Sequence, residues 1–138
     1  MAFTTVNKIK SLGFSLHNFD VADDAAFDAL ITSTLDEQVA LIRVDYPTYD
    51  SANSTQQLIL GEAEKYRTAA ALKRIQAAQS STDAYRELSG QGQPAGENLY
   101  KDAQQYENRA DIWLSKIGVG KHMVSESGGI ASAVVVSP

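Results

Sequence analysis

A stripe in the C-terminal half constrains this chain most: Leu99, Ala103, Tyr106, Ala110, Trp113 and Ile117 recur at steps of four, three, four, three and four. An α-helix turns once in about 3.6 residues, so this spacing gathers all six on one face as a heptad-like seam. A half-buried strand would alternate every second residue instead. Burying each large member stabilises by about 1.5–3 kcal/mol. Leu99, Tyr106, Trp113 and Ile117 together would rival the net stability of a whole domain, and they are expected in the core.

Further helices are expected upstream. Phe27, Leu30, Ile31, Thr34, Gln38, Leu41 and Ile42 share a face, which predicts a long amphipathic helix from Ala22 to Tyr46. The carboxylates of Asp20, Asp23 and Asp24 suit its start, where backbone N–H groups lack partners and the helix dipole is positive. Pro47 closes it, and Tyr46 to Asn53 reads as a connection. Ser54 with Gln57 forms an expected capping box for the next helix. On that helix Ile59, Ala63, Tyr66, Ala70 and Ala77 share one face while Leu58, Leu72 and Ile75 lie on another. A helix sticky on two sides is either central in its own bundle or covered by a neighbouring subunit. Asp83 to Leu88 reads as a separate short helix, followed by a loop at Gly90, Gly92, Pro94 and Gly96. Thr4 to Leu12 reads as one or two helical turns, capped by Thr4 or Thr5 and ended by Gly13.

With 138 residues, 43% of them hydrophobic, the chain has room for one core. The expected fold class is all-α: a small bundle of three to five helices over 1–117, with an extended arm over 118–138. No fixed-period repeat suggests a solenoid. Cysteine is absent, so packing rather than disulfides must stabilise the body. Near Lys8 and Lys10 the apolar run is broken by Ser11, Gly13, Ser15 and His17, unlike a secretory signal core. Ile130 to Val136 is far shorter than the roughly 20 residues of a membrane helix. A net charge of −5 has the wrong sign for broad contact with phosphate backbones.

The residues offer little chemistry. His17 and His122 stand alone, without metal-ligand spacing, and ordinary loop histidines account for both. Gly118-Val119-Gly120-Lys121 resembles the end of a phosphate loop, but Ser115 replaces its leading glycine. His122 also stands where a magnesium-binding hydroxyl belongs, and the segment follows a helix rather than a strand. Asp23/Asp24 and Asp36/Glu37 are neighbours on a helix, point apart, and read as solvated or capping charge. Asn53-Ser54-Thr55 matches a glycosylation acceptor but reads as a turn feeding a helix cap. No catalytic, cofactor or metal residue is therefore expected, and the chain is expected not to be an enzyme.

Two features carry functional content. Residues 20–50 hold Asp20, Asp23, Asp24, Asp28, Asp36, Glu37, Asp45 and Asp50 against Arg43 alone. That is either a soluble helix with dipole-favouring ends or a surface that repels something anionic. The arm, with Ile130, Val134, Val135 and Val136, is either a frayed terminus or a segment that adds as a strand or inserts into a partner's groove.

The layout from Asp20 to Ile117 resembles a family. A long helix is followed by the Tyr46-Pro47-Thr48-Tyr49-Asp50 connection and a helix with Lys65-Tyr66-Arg67-Thr68-Ala69-Ala70-Ala71-Leu72. A small-residue loop and a last helix with an arm complete it. This is similar to the head-to-tail connector proteins of tailed phages, the helical adaptor or head-completion proteins. The resemblance implies a homo-oligomeric ring, commonly a dodecamer, made in the host cytoplasm and placed in the virion at the head–tail interface. Such a ring sits beneath the portal protein, lengthens the DNA channel, and docks a downstream neck, stopper or tail protein. DNA would pass without specific binding, and no membrane is involved. Asp24, Asp28, Asp36 and Glu37 would then be candidates for the channel wall, and the arm would reach the portal or a sister subunit. The competing expectation is a cytosolic helical regulatory or chaperone-like module with one groove for a peptide or client.

Overall fold

The computed structural model describes residues 2–88 and 95–118, the side chains of 80–88 and 95–97 excepted. It is all-α: α1 (Val6–Lys10), α2 (Asp24–Asp45), α3 (Ser54–Leu88) and α4 (Ala95–Ser115), with 3₁₀ turns at Leu16–Asn18 and Tyr49–Ser51. No strand occurs among the described residues. All of the expected arm beyond Gly118, including Ile130, Val134, Val135 and Val136, lies outside them, as do His122 and Gly90, Gly92 and Pro94 of the expected loop, whereas Gly96 falls within α4 rather than in a loop.

Local chemistry explains the boundaries. The Thr5 hydroxyl caps α1 by accepting from the Lys8 N–H, and Gly13 follows at φ +110°, a backbone region that favours glycine. Asp23 caps α2 by accepting from the Ala26 N–H at 2.9 Å. The α3 cap lies one residue earlier than the sequence suggests. Asn53 accepts from the Gln56 N–H and Gln56 accepts from the Asn53 N–H, both at 2.9 Å, while Gln57 donates to the Ala52 carbonyl. Asp83 to Leu88 is no separate helix but the last stretch of α3, whose hydrogen bonding continues through Ser80-Ser81-Thr82. Gly118, at φ +78°, ends the turn after α4.

The two-sided α3 is central in its own bundle. One side carries Ala63, Tyr66, Ala70, Lys73 and Ala77 and packs antiparallel on α4, with Tyr66 stacked on Tyr106 at 6.0 Å. Leu60, Glu64, Thr68 and Leu72 face the other way, toward α1, α2 and the N-terminal segment. At about 100° per residue these two faces are centred about 160° apart. Leu58 belongs to neither and is 63% exposed.

Two predicted core sets shift. On α2 the buried positions are Phe27, Ile31, Thr34, Leu35, Val39 and Ile42, whereas Leu41 is 53% exposed and Gln38 only partly buried. Each step of four rotates the buried line by about 40°, and α2 is covered by both α1 and α3, so its buried arc drifts away from a heptad seam. On α4 the enclosed residues are Ala103, Ala110 and Leu114. Leu99, Tyr106, Trp113 and Ile117, expected as core, are partly exposed, and the last three pack on the edge of the core. The small alanines occupy the line of closest approach to α3, which leaves the large side chains flanking it. The main cluster lies elsewhere, around Ile9, Phe14, Phe19, Phe27, Ile31, Ile42 and Tyr49. Within it Phe19 stands 5.5 Å from Phe27 and 6.1 Å from Phe14.

Candidate functional site

The most distinctive polar group is Glu64, a carboxylate with no exposed surface on the inner face of α3. Its Oε1 accepts from the Phe3 N–H at 2.8 Å and the Thr4 N–H at 3.0 Å, and its Oε2 accepts from the Tyr49 hydroxyl. One side chain thereby ties the N-terminal segment and the connection after α2 to the central helix. Arg43 lies over the Tyr49 ring at 4.7 Å and pairs with Asp50 at 3.0 Å, closing the connection from outside. Phe3 rests directly on Gly61, where an added Cβ would meet it at 3.4 Å.

Burial raises the Glu64 carboxyl above its ordinary value of 4.5, more than its three donors lower it. Burial also raises the Tyr49 hydroxyl, helped by the adjacent Glu64, so Tyr49 keeps its proton and remains the donor. The Thr4 and Thr68 hydroxyls are buried without hydrogen-bond partners. This arrangement fastens segments together. Glu64 itself has no exposed surface.

A shallow groove of about 160 Å³ lies between α3 and α4, lined by Lys73, Asp102, Gln105, Tyr106 and Arg109. Lys73 meets Asp102 only at 4.0 Å, and its ammonium also lies 5.3 Å from the Phe14 ring centre. The Arg109 guanidinium sits 5.7 and 5.8 Å from the Tyr66 and Tyr106 rings and has no carboxylate at ion-pair distance among the described residues. Burial raises the Tyr106 hydroxyl, so it stays protonated at neutral pH.

The acidic candidates on α2 do not form one strip. Asp24, Asp28, Asp36 and Glu37 are all exposed, but helical geometry fans them over about 220° of the surface. Asp28 pairs with Lys10 at 2.5 Å, and Asp24 occupies the first turn beside the Asp23 cap. Glu37 shares an outer strip with two exposed apolar residues, Leu41 and Val44, the latter 75% exposed. On α4, Gln105, Arg109 and Ile112 form another outer strip, with Ile112 60% exposed.

Sequence reasoning missed Glu64, Tyr49, Phe3, Phe14 and Phe19. Glu64 carried a usable signal, since it falls every fourth residue in line with Leu60, Thr68 and Leu72. The aromatic residues lie in short irregular segments where no periodicity exists to reveal them.

His17 is exposed in a 3₁₀ turn, and no group of three potential metal ligands occurs among the described residues. No described helix is long and apolar enough to cross a membrane. No protein-family model matches the chain, and neither does any curated protein or solved structure.

Proposed function

We propose that this chain is a non-catalytic assembly protein, the helical adaptor between the portal and the neck or tail components of a tailed phage. Copies would associate as a ring beneath the portal protein, lengthen the DNA channel and present a surface for the next neck protein. The observation that carries the assembly part is the surface left over by folding. Leu41, Val44, Leu58, Tyr100 and Ile112 are large apolar residues at least half exposed, spread over three helices of a body that already has a closed core. The phage context rests on the resemblance in layout alone.

Net charge of the chain supports passage of DNA without gripping it. At −5, and with acid concentrated on α2, the surface repels phosphate rather than releasing its counterions. The test is co-sedimentation of the purified chain with isolated rings of a candidate portal protein encoded beside it. Comigration in multiple copies per portal ring is expected. Absence of binding to that portal, with both proteins folded, would overturn the adaptor reading.

A further inference from the structure

We infer that copies of this chain dock head to tail, with the Glu37–Leu41–Val44 strip of one copy packed on the Gln105–Arg109–Ile112 strip and adjoining Lys73 groove of the next. The inference rests on the reading above that the chain works as an assembly of its own copies, and it names the contact.

Both strips are exposed and both lie on helices longer than five turns; the first sets one charge beside Leu41 and Val44, the second one charge beside Ile112 and the polar Gln105. Their chemistry is complementary. Glu37 is followed by Leu41 four residues on, and Arg109 by Ile112 three residues on, so helices laid side by side in parallel set Glu37 against Arg109 and Leu41 against Ile112. Arg109 has no carboxylate partner of its own among the described residues, and the nearby Lys73 is held only loosely by Asp102. A sister carboxylate would satisfy that local excess of positive charge.

Within one copy the two strips cannot meet, because α2 and α4 pack on nearly opposite faces of α3. The contact is therefore heterologous: every copy keeps one free acidic strip and one free basic strip. Repetition of such a contact builds a ring when the rotation closes and a filament when it does not. The wider charge distribution favours the same polarity. Residues 2–50 carry eight carboxylates against Lys8, Lys10 and Arg43. α3 and α4 are nearly balanced by comparison, with Lys65, Arg67, Lys73, Arg74, Arg86, Lys101 and Arg109 against Glu62, Glu64, Asp83, Glu87, Glu97, Asp102, Glu107 and Asp111. This assignment removes Glu37 from the DNA channel wall and gives it to the sister contact.

The test is sedimentation velocity of the full chain over a concentration series at about 50 mM salt, where exposed charges are weakly screened. Wild type is expected to show concentration-dependent association. Glu37→Lys and Arg109→Glu, both at exposed positions and checked for helicity by circular dichroism, should each weaken association at least about tenfold. The Glu37→Lys/Arg109→Glu double variant should recover, because exchanging the two charges restores the pairing with reversed polarity. Single variants that associate as wild type does, a double variant that fails to recover, or wild type monomeric at every concentration would each overturn the contact. The adaptor reading stands or falls separately on portal binding: R109E that still joins a portal while associating undiminished sinks only this contact. A channel-lining Glu37 would leave assembly of E37K intact, which counts against the contact in the same experiment.

Discussion

Replacing Glu64 by alanine should be the most damaging truncation of a charged residue among the described side chains, and replacing it by glutamine one of the mildest changes. Alanine strips the acceptor from the Phe3 N–H, the Thr4 N–H and the Tyr49 hydroxyl together. A buried donor left without an acceptor costs about 1–3 kcal/mol. Residues 3 and 4 can rehydrate by peeling away from α3, which limits their share, whereas Tyr49 is 2% exposed and bears the full penalty. The expected loss is about 3 kcal/mol, a large part of the 5–15 kcal/mol typical of a domain, and about 10 °C in Tm. Glutamine keeps Oε1 for the two backbone donors, and its amide N–H can donate to a rotated Tyr49 hydroxyl, so every group stays satisfied. Urea unfolding followed by circular dichroism measures both. A Glu64→Ala variant within about 1 kcal/mol of wild type, or a Glu64→Gln variant as damaging as Glu64→Ala, would refute this role for Glu64.

Other expectations follow from the same contacts. Because Glu64 titrates above 4.5 when folded, the folded state favours its protonated form. Its contribution is complete below that ordinary value and declines as pH rises through the folded value, so wild type should lose stability relative to E64Q over that rise in paired urea titrations. Tyr49, raised above 10.0, contributes stability that is lost as pH climbs past that ordinary value, and Tyr49→Phe should blunt the alkaline loss in the same assay. Thr68→Val should stabilise by about 1 kcal/mol by removing a buried hydroxyl that has no hydrogen-bond partner, read as a shift of the urea midpoint. Gly61→Leu should push Phe3 off α3 and expose the N-terminal segment to limited proteolysis, while Gly61→Ala meets Phe3 only at contact distance and should leave the segment protected.

Periodicity made the long helices legible, and for a physical reason: a helix that buries one face must repeat its apolar groups at the helical period. The Asp23 cap, the stop at Pro47 and the two faces of α3 follow from such local rules. The exact burial does not. The α2 stripe is displaced to Leu35 and Val39 because α1 covers a flank that no local pattern announces. On α4 the alanines rather than Trp113 are enclosed, since the distance between neighbouring helices decides which side of a seam is sealed. The Glu64 anchor depends on partners about 60 residues away in sequence, and only the fold brings Phe3 and Thr4 to it. The acidic excess of α2 was readable as composition, but its spread around the helix, and an Arg109 over two tyrosine rings with no carboxylate at ion-pair distance among the described residues, needed the tertiary arrangement.

Single-particle imaging of the full chain bound to its candidate portal addresses the assembly claim most directly. A closed ring of identical copies coaxial with the portal channel is the outcome expected here. Isolated single copies at the portal surface, or none at all beside folded portal rings, would contradict it.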